Sequence, residues 1–168
     1  MEQRLVRVMM QLIKSEVFGT AIEPSLVQNL SDSFLIELYQ ISKSHDMVHV
    51  VGSALDKAGA LPNNEIGEKF RKQVMVALFR QQRLQYAYEQ ICKVLEEKKI
   101  PYIPLKGAVI RPLYPEPWMR TSCDIDILVR KEDLSSAVEH LVRHFQIQQK
   151  PYQNAHDISL FLPSARLP

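Results

Sequence analysis

The stretch IPLKGAVIRPLYPEPWMRTSCDIDILV, residues 103–129, decides how the rest of the chain is read. Its start continues Ile100, Pro101 and Tyr102 into an extended run, because Pro101 and Pro104 fix their own torsions and push the preceding residues out of the helical region. Lys106 and Gly107 follow at once, and a short helix is expected from residue 108 to about 114, stopped by Pro115 and Pro117. Residues 123–129 then alternate as a strand does, with Ile125, Ile127 and Val129 on one face.

In such a strand Asp124 and Asp126 leave the other face, about 6.5 to 7 Å apart along the chain. Aspartate is depleted in strands and like charges on one face repel, so the pair calls for a cation, solvent at a strand end, or a metal. Carboxylate oxygens of this kind suit magnesium, which keeps part of its water shell and is completed by substrate phosphates. The bland alternative is an exposed edge strand with solvated aspartates. Lys106 and Gly107 add a second element, since a glycine between strand and helix lets the backbone approach an anion and the lysine supplies a mobile charge. Alone, that pair is ordinary turn chemistry.

Outward from this stretch, proline divides the chain. Of ten prolines only Pro24 and Pro62 precede residue 101, so the architecture changes near residue 100. On the N-terminal side, Leu5, Val8, Met9, Leu12, Ile13 and Val17 share a helical face, with Gly19 as a left-handed stop. Pro24 suits a first helical position, Ser31 or Asp32 can cap the next helix, and a further one is expected over 46–57, ending at Gly59. The longest periodic segment is 65–98, where Phe70, Val74, Ala77, Leu78, Leu84, Tyr88, Ile91 and Leu95 form one stripe. On the C-terminal side an amphipathic helix opens at Glu132 or Asp133, with Leu134, Val138, Leu141, Val142 and Phe145 inward. Short strands over 146–152 and 157–162 and a turn at Pro163 and Ser164 close the chain.

The order of these parts resembles the nucleotidyltransferase fold of the polymerase beta superfamily: a glycine-bearing turn after one strand, a short helix, then a strand with Asp-x-Asp. More narrowly, Lys106-Gly107, an apolar helix, Leu113-Tyr114-Pro115, Arg120 and the run DIDILV are similar to the family of uncharacterised nucleotidyltransferases with a helical N-terminal region. The close likeness spans about residues 100–145. It implies magnesium-dependent transfer of a nucleoside monophosphate from a nucleoside triphosphate to an acceptor hydroxyl. Asp124 and Asp126 would hold the metal, Lys106, Gly107 and Ala108 would meet the phosphates, and Arg120 would stabilise developing charge or the aspartate pair. Two departures stand out. Ala108 replaces the serine or glycine that many superfamily members place after the glycine, and the superfamily's third carboxylate lies on a later strand, whereas here Asp157 is the only acidic residue beyond Glu139. A naturally short protein and a piece of a longer one are both compatible with that.

Composition narrows the alternatives. A chain of 168 residues, 46% hydrophobic and 24% charged, has the make-up of a globular protein. Residues 1–98 carry 12 basic and 12 acidic side chains and 99–168 carry 9 and 7, so no extended nucleic-acid surface is evident. No apolar run approaches the roughly 18 residues of a membrane span, and two cysteines, Cys92 and Cys123, make no disulfide framework, so a cytoplasmic location is the default. Cys123 is expected as a small buried packer. The pairs His45/His49 and His140/His144 have a spacing seen in metal sites but no glutamate in the HExxH order, and are not expected to bind metal. Trp118 is expected to anchor its loop, and Tyr86, Tyr88 and Tyr102 sit at core-compatible positions.

The expected fold is therefore α+β, a helical N-terminal region over 1–98 packed on a small mixed-sheet nucleotidyltransferase-like core over 99–168. Besides the enzyme, two other functions fit the sequence. One is a catalytically silent nucleotide-binding or interaction module with the same fold; the other is a helical adaptor in which Asp-x-Asp is incidental.

Overall fold

A computed structural model describes residues 2–149, 151–153 and 157–162. The expected turn at Pro163 and Ser164 lies outside these residues. Seven α-helices and four short strands follow in the order α1 (Glu2–Phe18), α2 (Pro24–Val27), α3 (Asp32–Ser44), α4 (Val48–Lys57), α5 (Glu65–Glu97), β1 (Tyr102–Pro104), α6 (Gly107–Ile110), β2 (Ile127–Val129), α7 (Leu134–Phe145), β3 (Tyr152–Gln153) and β4 (Ile158–Ser159), among the described residues. The class is α+β. The strands form two antiparallel pairs, β1 with β2 and β3 with β4, in place of the mixed sheet expected.

Two compact units divide the chain, and neither is continuous in sequence. The first comprises residues 1–81 and 111–121; the second comprises 82–110 and 122–168. In the first, α1 packs against α3 and α4. The stripe expected of α1 is the buried one: Leu5, Val8, Met9 and Leu12 join Leu35 and Leu38 of α3, Val51 and Leu55 of α4, and Ile66 and Phe70 of α5 in one core. Local signals set the boundaries. Gly19 and Gly59 adopt φ of +67° and +65°, left-handed conformations that end α1 and α4. Ser31 caps α3 by accepting a bond from the Phe34 amide at 3.3 Å. The helix expected from residue 46 starts at Val48, because Asp46 itself is left-handed (φ +54°) and the Met47 amide is still bonded to Ser42 of α3.

Two polar groupings hold elements of this unit together. The Glu16 carboxylate accepts bonds from Ser53 and from the Lys57 ammonium, a contact with no counterpart in the sequence reading. Arg71 gathers the turn before α5, donating to the carbonyls of Leu61 and Pro62 and to the side chains of Asn63 and Asp56.

In the second unit Ile91 and Leu95 of α5, Ile100, Ala137 and Phe145 of α7, and Ile147 form a separate core. Ile125, Ile127 and Val129 pack on it together, as their alternation predicts. The stripe of α5 is thus one continuous helix serving both cores in turn.

Candidate functional site

The register of β1 on β2 brings the two parts of the decisive stretch together. Tyr102 faces Val129, Ile103 faces Leu128 and Pro104 faces Ile127, and the Leu105 amide adds one more bond at 2.9 Å to the Asp126 carbonyl. There the ladder stops. Lys106 turns out of it with φ +40°, and its carbonyl accepts the amides of Val109 (3.1 Å) and Ile110 (2.8 Å), so it caps α6. With β1 gone, residues 123–125 have no strand to pair with, which is why the strand expected over 123–129 is only Ile127–Val129.

That shortening changes the site. Asp126 sits just before the strand, one-third exposed, and Asp124 lies outside the ladder and is exposed. Cys123, expected to be buried on the opposite face, is exposed for the same reason. Lys106 Nζ lies 3.4 Å from Asp126 Oδ2, joining residues twenty positions apart in sequence. Gly107 is buried and Ala108 half-buried. The helix expected over 108–114 is a single α-turn, Gly107–Ile110, followed by a 3-10 turn at Arg111–Leu113. Pro112 accounts for this, since it lacks an N–H and its ring would meet the carbonyl four residues back. A one-turn helix carries little dipole. What it offers an anion is the pair of first-turn amides that have no intrahelical acceptor.

The carboxylates of Asp124 and Asp126 are hard oxygen donors that reach solvent, a set compatible in kind with magnesium, which takes one or two carboxylates and keeps several waters. Among the described residues no three His, Cys, Asp or Glu side chains converge. Asp157 is exposed and directly precedes β4. Arg120 belongs to the first unit; its Nη1 is buried with no hydrogen-bond acceptor among the described residues.

Two polar clusters escaped the sequence reading. In the first unit His49 is buried and its Nε2–H donates to the Met119 carbonyl at 3.1 Å, while the Trp118 ring stands T-shaped to the imidazole at a centroid distance of 6.0 Å. Trp118 therefore anchors its loop, as expected, and the tether spans seventy residues that no local pattern connects. Burial lowers the His49 pKa below the ordinary 6.5 and outweighs the opposing bond to Met119 and the charge of Asp46; Arg80 adds to the lowering. The unfolded chain then binds more protons than the native one below pH 6.5, so stability falls with acidification from 6.5 down to the depressed native value. We expect the unfolding free energy of wild type to drop relative to His49→Gln as pH goes from 7.5 to 5.5. Parallel profiles would contradict this.

In the second unit Tyr102 donates to Glu96 at 2.9 Å. The neighbouring Cys92 thiol, burial and Glu96 hold the Tyr102 phenol well above its usual range, and burial, then Cys92, raises Tyr88. Tyr88 and Tyr102 are half-buried as expected, but Tyr86 is exposed. His45 and His144 are exposed and His140 half-buried.

No helix among the described residues is long and apolar enough to cross a membrane. Among curated proteins and solved structures there is no match to the chain. A family model described as "Uncharacterised nucleotidyltransferase" matches residues 36–159, well over half of the sequence and including Lys106, Asp124 and Asp126. The chain belongs to that nucleotidyltransferase family.

Proposed function

We propose that the protein transfers a nucleoside monophosphate from a nucleoside triphosphate to an acceptor hydroxyl, with Asp124 and Asp126 as the metal-holding pair. The observation that carries this is the Lys106–Asp126 ion pair, which sets a mobile cation beside a solvent-reaching carboxylate in a chain of this family. Magnesium, when bound, would polarise the α-phosphate and lower the cost of deprotonating the acceptor. The acceptor oxygen forms the new bond to the α-phosphorus, the bond to the bridging oxygen breaks, pyrophosphate leaves with the electron pair, and the hydroxyl proton passes to solvent.

The chain's own residues bind and position. Lys106 and the first-turn amides of Gly107 and Ala108 meet the β- and γ-phosphates. The fixed turn at Lys106 supports the phosphate role, because the ladder-end bond from Leu105 to Asp126 and the two helix-start bonds to the Lys106 carbonyl hold the backbone there.

The test is thermal unfolding of wild type and Asp126→Asn with magnesium and each of the four nucleoside triphosphates. At about a hundredfold excess over the dissociation constant, binding should raise the wild-type midpoint by several degrees. Asp126→Asn should lose that rise. No rise with any triphosphate would overturn the proposal. A silent nucleotide-binding module, the second function considered, would give the same rise, and release of pyrophosphate on adding acceptor hydroxyls separates it from the enzyme.

A further inference from the structure

Lys106 faces two demands that cannot be met together. Its ammonium neutralises Asp126 in the ligand-free chain, yet a divalent cation on the same carboxylate would lie within a few ångströms of that ammonium and be repelled by it. The contact is built to be given up. At 3.4 Å it is longer than a good charge-assisted hydrogen bond, and the lysine side chain is 71% exposed, so the head group keeps its water and gives up little when it swings away. Its backbone, in contrast, is fixed between the Leu105–Asp126 bond and the two amides capped by its carbonyl. The position also has φ +40°, which glycine adopts freely and a lysine only under strain, so a charge stands where the backbone alone would favour none.

We propose that Lys106 is a displaceable counter-cation: it occupies Asp126 until the phosphates of an incoming nucleotide draw it off, so that metal and nucleotide bind as a coupled pair and the metal alone binds weakly. This rests on the function proposed above. Linkage makes the effect reciprocal, the nucleotide raising metal affinity by the factor by which metal raises nucleotide affinity.

The experiment is calorimetric titration of the full chain with Mn²⁺ alone, for wild type, Lys106→Gly, Lys106→Arg and Asp126→Asn. Glycine suits the left-handed φ, so that variant should fold, and arginine keeps the charge. Lys106→Gly is expected to bind Mn²⁺ about fivefold more tightly than wild type, the scale of an exposed ion pair removed, and Lys106→Arg about as wild type does. In the thermal assay with magnesium and triphosphate the order should reverse, with Lys106→Gly showing a smaller midpoint rise. Mn²⁺ affinity in Lys106→Gly no higher than in wild type, or no Mn²⁺ binding by either, would overturn the coupling. If the triphosphate-dependent rise persists in wild type and vanishes in Asp126→Asn, only the coupling falls; if that rise is absent too, the proposed function falls with it.

Discussion

Alanine at position 70 is expected to cost the first unit about 3–5 kcal/mol of stability. Phe70 is fully buried, meets Tyr39 of α3 edge-on at a centroid distance of 5.2 Å and sits so near Gly52 of α4 that a Cβ added there would stand 3.2 Å from its ring, so its removal opens a cavity in the core. The cavity would close poorly. Leu35, Leu38, Val51 and Leu55 around it are themselves fully buried and have no free space to move from. Denaturant unfolding followed by the fluorescence of Trp118, the sole tryptophan and a residue of this unit, reads the right transition. The midpoint should fall with the slope unchanged, and a loss below about 1 kcal/mol would show that the α5 anchor is not what closes this core.

Gly67→Ala should cost about 3 kcal/mol, although alanine is the better helix former by about 1 kcal/mol. The sign is decided by one distance: a Cβ at Gly67 would stand 1.9 Å from the Pro62 carbonyl oxygen. That oxygen cannot simply retreat, because Arg71 holds it and the Leu61 carbonyl, and Asn64 accepts the Gly67 amide at 3.3 Å. Either the turn lets go of α5 or the first turn of α5 unwinds. Gly52→Ala is the control, since its Cβ meets Phe70 atoms at 3.2–3.3 Å and needs shifts of only tenths of an ångström. Equal losses in the two variants would argue that the turn before α5 is soft.

Periodicity made the helices legible. The stripes of α1 and α5 and the face of Ile125, Ile127 and Val129 were readable because burial repeats at the period of the element. Where elements stop was less legible when the reason lay elsewhere in the chain. The pattern of residues 123–129 is a strand pattern throughout, yet pairing ends where Lys106 leaves β1, and so Asp124 and Cys123 fall outside the ladder. The likeness in residues 100–145 named the family, which the family model over 36–159 bears out. It could not indicate that Lys106 rests on Asp126, nor that His49 holds Met119, because side-chain pairs separated by twenty and seventy residues leave no periodic trace.

The discontinuity of the two units bears on how this protein can be cut and recombined. A scissile position near residue 98 is inviting, since proline usage changes there, but the fragment before it would lack residues 111–121. In that fragment the imidazole of His49 would lose the Met119 carbonyl it bonds and the Trp118 ring beside it, a polar donor deprived of its acceptor. Chimeras with relatives would meet the same obstacle: the piece carrying α4 and the piece carrying the Trp118 loop have to be inherited together.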